Sequence, residues 1–155
     1  MSVVYLSLGT NLGDKKKNIS IAVDKIQELI GKRLSLSALY KTKPWGYSSD
    51  NMYVNAAISI ETKLTPQQVL TATQRIEREM GRTKKSVNGQ YSDRIIDIDI
   101  LLYDNMIIKT PELTIPHPLM TKRMFVMQPL SEIAPDLIIP EINKNIKTII
   151  NESNK

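Results

Sequence analysis

Cysteine is absent from the 155 residues, which excludes disulfides, thiol nucleophiles and zinc–thiolate sites. Histidine occurs once, at His117, so a multi-histidine metal centre is excluded too. Any bound metal must be held mainly by oxygen, which points to magnesium or calcium. No apolar run approaches the ~20 residues that span a bilayer. The opening residues, MSVVYLSLG, carry no basic region or small-residue cleavage site, so a cytoplasmic protein is expected. Two nucleotide signatures are missing: there is no G-x-x-x-x-G-K-[ST], and Gly9-Thr-Asn-Leu-Gly13 lacks the dinucleotide fingerprint. Aromatic residues are scarce at 5 %, and no RNP1-type aromatic pattern occurs, which weakens an RNA-binding reading.

What remains is ordinary globular composition, 41 % apolar and 24 % charged, without repeats or linkers. One domain spanning residues 1–155 is expected. The net charge of +5 favours anionic partners, either nucleic acid or phosphorylated small molecules, or is simply a solvated basic surface.

Val3 to Leu8 reads as a buried strand, followed by turn chemistry at Thr10–Asp14. Ile19, Ala22, Val23, Ile26, Leu29 and Ile30 recur at helical spacing, with Gly31 as the stop. Leu34 to Tyr40 alternates like a half-buried strand, residues 43–51 form a loop, and Tyr53 to Ile60 is a third strand. Thr65 and Pro66 open a helix that runs to Met80 before Gly81. A polar loop at 82–93 leads into a fourth strand, Ile95 to Tyr103. Short helices are expected near 119–132 and 144–151. The order β-α-β-β-α-β plus a C-terminal extension predicts an α+β, ferredoxin-like antiparallel sheet with helices on one face. That arrangement hosts many activities and does not by itself decide among them.

The strongest local signal is Arg94-Ile-Ile-Asp97-Ile-Asp99-Ile-Leu-Leu. In a strand Asp97 and Asp99 share one face, ~6.5–7 Å apart at the backbone, while residues 96, 98, 100 and 102 fill the other. Two carboxylates on one face repel unless a cation lies between them, and magnesium suits the gap because it completes its shell with water and phosphate oxygens. The alternative is a half-exposed strand showing two acids to water. Arg82 and Arg94 bracket a loop that also holds Lys84 and Lys85, which reads either as a cationic lid over polyphosphate or as a solvated basic loop. Trp45, Tyr47 and Tyr53 fall within nine positions and either stack on a flat heterocycle or cap the sheet edge. Asn55, on the face of Tyr53, carries the donors and acceptor needed to read a pterin or base edge, or makes a local backbone hydrogen bond. Gln74 and Glu77 share one helix face, ordinarily a solvated one. His117, between prolines, is either structural or a phosphate ligand when protonated, and Phe125 reads as core.

Taken together, these segments resemble the 6-hydroxymethyl-7,8-dihydropterin pyrophosphokinase family. The matching pieces run in order: Tyr5–Asp14, Tyr40-Lys-Thr-Lys-Pro44, Tyr53-Val-Asn-Ala-Ala57, Thr73-Gln-Arg-Ile-Glu77 with Gly81-Arg82, Arg94–Leu102, Thr114-Ile-Pro-His-Pro118 and Ala134-Pro135. The resemblance implies transfer of pyrophosphate from ATP, the co-substrate, to the pterin hydroxymethyl oxygen in folate biosynthesis. It implies two magnesium ions on Asp97 and Asp99, with Arg82 and Arg94 assisting transfer. Gln74, Glu77, Lys84, Ile100, Thr114, His117 and Arg123 match nucleotide-site positions. Thr42, Lys43, Trp45, Tyr53, Asn55 and Phe125 match the pterin pocket, with Tyr53 and Phe125 sandwiching the ring. The implied partners are small molecules only, with no nucleic acid, no membrane and a monomeric chain. The sequence departs from the family at Tyr91-Ser92-Asp93, in a longer preceding loop, at Lys84 and at Glu112. Those departures raise a second reading, a catalytically weak pterin- or nucleotide-binding paralogue.

Overall fold

Strand β1 (Ser2–Thr10) organises the molecule by alternation. Val4, Leu6 and Leu8 point to one side and are fully buried. Tyr5, Ser7 and Gly9 therefore face the other side of the sheet. The computed structural model describes residues 1–43, 52–81 and 95–153. The loops read at 43–51 and 82–93 lie outside the described residues apart from Lys43, as do Trp45, Arg82, Lys84 and Arg94.

Helix α1 (Lys15–Leu29) starts where Asp14, in an extended conformation, accepts the Lys17 N–H, and buries Ile19, Ala22, Val23 and Ile26. Asn18 braces the preceding turn through Thr10 Oγ1 and the Leu12 carbonyl. Gly31 does not stop this helix as expected. The Ile30 N–H closes the last turn on the Ile26 carbonyl, and Gly31 opens β2 (Gly31–Leu36). A Cβ at Gly31 would overlap the Glu61 carbonyl, so close strand pairing accounts for this glycine.

The expected strand from Leu34 to Tyr40 is two pieces, β2 and β3 (Tyr40–Thr42), both paired to β4 (Tyr53–Thr62). Ser37 sits at the break: its N–H keeps a bond to the Ala57 carbonyl (2.9 Å), but its hydroxyl, not its carbonyl, accepts the Ala57 N–H (2.9 Å) and donates to the Ala38 carbonyl (2.8 Å). Helix α2 (Pro66–Glu79) carries the expected proline start, with a reciprocal Thr65–Gln68 capping box, and buries Val69, Thr73 and Ile76. Strand β5 (Asp97–Tyr103) pairs with β1. The sheet is antiparallel in the order β2-β4-β1-β5.

Two corrections concern which side is covered. α1 and α2 pack on the Val4/Leu6/Leu8 face. The C-terminal segment covers part of the other face. The short pair β6 (Ile108–Lys109) and β7 (Thr114–Ile115) packs instead with the first cluster, through Ile108, Leu113 and Ile115, while a 3₁₀ turn at Met120–Lys122 and α3 (Met124–Ile133) lie on the second face. The pair β8 (Ile138–Ile139) and β9 (Lys144–Asn145) and α4 (Ile146–Ser153) complete it. Met127, Leu130, Ile146 and Ile149 pack there with Ala57 and Leu101, so helices occupy both faces. Leu102 also belongs to this second cluster, not with Ile96, Ile98 and Ile100. The pairing register shifts between Tyr5 and Leu6, leaving Leu101 as an extra residue, and one extra residue reverses the phase of alternation.

Candidate active site

Pairing places small side chains beside the acids. On β1, Ser7 lies opposite Asp99 and Gly9 opposite Asp97. On the other flank, Gly9 lies opposite Asn55 of β4. Because paired residues share a face, Asp97, Asp99, Ser7, Gly9 and Asn55 form one floor where α3 and α4 leave the sheet uncovered. A cavity opens on this floor, walled by Thr42, Lys43, Tyr53, Arg123 and Phe125. Six sequence-predicted residues besides the acids thus converge: Thr42, Lys43, Tyr53, Asn55, Arg123 and Phe125.

The floor has little spare room. A Cβ at Gly9 would sit 3.1 Å from Asn55 Oδ1 and 3.6 Å from the Tyr53 ring. Asn55 is buried, and its Nδ2 donates to Thr42 Oγ1 at 2.7 Å; this side-chain partner replaces the local backbone bond considered from sequence. β3 is held from outside: Glu132 of α3 accepts the Ala38 N–H (3.0 Å) and the Tyr40 hydroxyl (2.6 Å). That hydrogen bond, with some burial and the carboxylate charge, raises the Tyr40 pKa. Phe125 packs against the second hydrophobic cluster and also forms a wall of the cavity. Arg123 is buried, with its guanidinium 5.8 Å from the Phe125 ring centre and Nη1 4.0 Å from Asp99 Oδ2. Its place at the start of α3 puts a positive charge at the floor's edge.

Asp99 also lines a second cavity, of about 250 Å³, together with Ile98, Ile100, Glu112, Thr114 and His117. One carboxylate therefore stands at the junction of two cavities. His117 is fixed by its backbone N–H to the Leu101 carbonyl (3.0 Å) and by Nδ1, which accepts the Leu119 N–H (3.2 Å). With Nδ1 an acceptor, the neutral ring carries its proton on Nε2. Burial, then the charge of Arg123, push the imidazole pKa down to about 4, against an opposing pull from Asp97. The ring is neutral at pH 7, which speaks against the alternative of a protonated phosphate ligand. Gln74 and Glu77 line neither cavity, and Glu77 is not on a solvated face: its Oε2 accepts the Ile98 N–H at 2.9 Å.

The donor set suits magnesium. Asp97 and Asp99 are hard oxygen donors on one cavity, and no cluster of three or more His, Cys, Asp or Glu occurs among the described residues. Magnesium takes one or two carboxylates and leaves its other positions to water and phosphate, so the pair fits, whereas a caged calcium site would need more ligands. Ser7 and Gly9 escaped the sequence reading. The only signal was two small residues alternating with leucines on one strand.

A sequence profile of the 7,8-dihydro-6-hydroxymethylpterin-pyrophosphokinase (HPPK) family matches residues 5–135. The 2-amino-4-hydroxy-6-hydroxymethyldihydropteridine pyrophosphokinase of Porphyromonas gingivalis is 49 % identical over 136 residues, which cover 87 % of this chain and 92 % of that protein. The protein of the same name from Aquifex aeolicus is 37 % identical over 147 residues, 95 % of this chain and 89 % of that one. The crystal structure of Plasmodium falciparum HPPK-DHPS with pteroate superposes with a TM-score of 0.79 at 16 % identity, and the match covers 98 % of this chain but 44 % of that longer one, a likeness of fold. The chain belongs to the 7,8-dihydro-6-hydroxymethylpterin-pyrophosphokinase family.

Proposed function

We propose that the two cavities meeting at Asp99 are the pterin and nucleotide sites of the family's reaction. The chain is an ATP-dependent diphosphotransferase that moves pyrophosphate from ATP to the hydroxymethyl group of 6-hydroxymethyl-7,8-dihydropterin in folate biosynthesis, releasing AMP. The single observation that carries the site assignment is that Asp99 lines both cavities, so groups held in each would meet beside it.

In this reading the flat pterin enters between Tyr53 and Phe125, where ring faces offer stacking. Asn55, oriented by Thr42, reads the pterin's hydrogen-bonding edge, and Lys43 stands at the rim. ATP occupies the second cavity against Ile100 and Thr114, with the His117 Nε2–H as a neutral donor. Asp97 and Asp99 would hold two magnesium ions, which supply charge neutralisation and orientation to the polyphosphate when bound. Arg123 adds a buried cation at the boundary, and Arg82, Lys84 and Arg94 are assigned the remaining phosphate charge. Phosphoryl transfer needs positioning and charge more than covalent help, so this set of groups is sufficient in kind.

The strand order β2-β4-β1-β5 supports naming the fold ferredoxin-like. One domain over residues 1–155, acting as a cytoplasmic monomer, accords with small, diffusible substrates. Incubation with ATP, magnesium and the reduced pterin tests the reading. AMP with a diphosphorylated pterin supports it, and ADP would mean an ordinary kinase. Tight pterin binding without turnover would favour the weak paralogue.

A further inference from the structure

Two rows of paired residues cross the floor. One runs Asn55–Gly9–Asp97 and the next runs Ala57–Ser7–Asp99. In the second row Ser7 has an alanine methyl on one flank and a carboxylate on the other. Directly opposed residues of this kind have Cβ atoms about 4.5–5.5 Å apart. Ser7 is 7 % exposed, and what remains of its surface lines the first cavity. Among the described residues, none hydrogen-bonds its hydroxyl. Ala57 has no polar side-chain atom to offer, and the Asn55 amide in the neighbouring row is engaged with Thr42. A hydroxyl taken out of water without a partner is costly, so one that faces a cavity marks a place for a hydrogen-bonding ligand.

We propose that Ser7 is a substrate ligand: its hydroxyl hydrogen-bonds the hydroxymethyl group of the pterin and holds that oxygen beside Asp99. The inference deepens the assignment of the first cavity to the pterin and rests on it. Position supports it, because Ser7 is paired with the residue that lines both cavities. The reacting oxygen has to come to that row to meet a group held in the second cavity. Chemistry supports it too. A serine hydroxyl both donates and accepts, as does the alcohol it would meet, so the pair forms without bringing another charge to the acids. With Ser7 Oγ accepting the substrate O–H, the lone pairs of the substrate oxygen are turned away from the floor. Burial fixes the strand beneath: Leu6 and Leu8, on either side of Ser7, are fully buried. The contact is therefore built into the centre of the sheet, and little reorganisation is needed to make it.

The test uses the whole chain and two pterins. Calorimetric titrations, with magnesium and a non-hydrolysable ATP mimic present, compare 6-hydroxymethyl-7,8-dihydropterin with 6-methyl-7,8-dihydropterin, which offers the same ring without the hydroxyl. Ser7→Ala should weaken the hydroxymethyl ligand about five- to tenfold, the scale of one hydrogen bond, and leave the methyl ligand within about twofold of the parent. The variant should melt no lower than the parent, since alanine keeps Cβ and removes only a polar atom with no partner in the protein. A role in the fold alone gives the reverse pattern, a lower melting temperature with both affinities unchanged, and that result would overturn the proposal. Equal weakening of the two pterins would overturn it as well, because the hydroxyl would then act on the ring. Asn55→Ala separates the underlying reading and should weaken both pterins alike. If that variant binds both like the parent, the cavity is not the pterin site and the proposal falls with it. If it weakens both while Ser7→Ala spares both, the site stands and only the role of Ser7 is refuted.

Discussion

The charge state of His117 yields a sharp test, because it is the chain's sole histidine. Its pKa falls from 6.5 to about 4 in the folded protein, first through burial and then through Arg123. The unfolded chain therefore takes up a proton between about pH 6.5 and pH 4 that the folded chain refuses. Above pH 6.5 both states hold a neutral ring and the group has no effect. As pH falls through this window, stability is lost. From about pH 7.5 to about pH 5 the linkage relation gives a loss of about 2 kcal/mol, trimmed toward 1 by the ring's partial exposure. Urea unfolding of the parent and His117→Asn at both pH values isolates this from the carboxylates, since Asn keeps an acceptor for the Leu119 N–H. The parent should lose about 1–2 kcal/mol more than the variant. A single imidazole titration followed by NMR in the folded state completes the assay. A midpoint near 6.5, or equal pH sensitivity in both proteins, would refute the reasoning and restore a protonated ring near neutrality.

Three further outcomes follow from the geometry. Asp97→Asn and Asp99→Asn should each cut AMP release by at least about a hundredfold; near-normal turnover in either would contradict the metal assignment. Gly9→Ala adds a methyl 3.1 Å from Asn55 Oδ1 and should weaken pterin binding about tenfold by calorimetry, with ATP binding retained; undiminished pterin affinity would mean the ring does not lie over this floor. Thr65→Ala removes one half of the α2 capping box and should lower unfolding free energy by about 1 kcal/mol, with kcat and KM held, as measured by denaturation and initial rates.

Local chemistry made much of this molecule legible in the sequence. Helical spacing located α1 and α2, the Thr65-Pro66 start was right, and strand alternation put Asp97 and Asp99 on one face. These succeed because period and caps act over a few residues. The misses all involve contacts between distant segments. Gly31 looked like a helix stop because its true constraint, the Glu61 carbonyl, lies thirty positions away on another strand. Leu102 changed faces because of a bulge defined only by pairing with β1. Phe125 and Arg123 reach the floor from a helix laid across the sheet, and only that packing makes them neighbours of Tyr53 and Asp99. The same holds for His117, whose identity was plain but whose charge was decided by burial and by Arg123. The sequence by itself determined the two long helices, the central strands and the pair of acids, through interactions that decay within a turn or two. Tertiary structure decided the floor of Ser7 and Gly9, the junction at Asp99 and the neutral imidazole, because strand register and desolvation are properties of segments brought together.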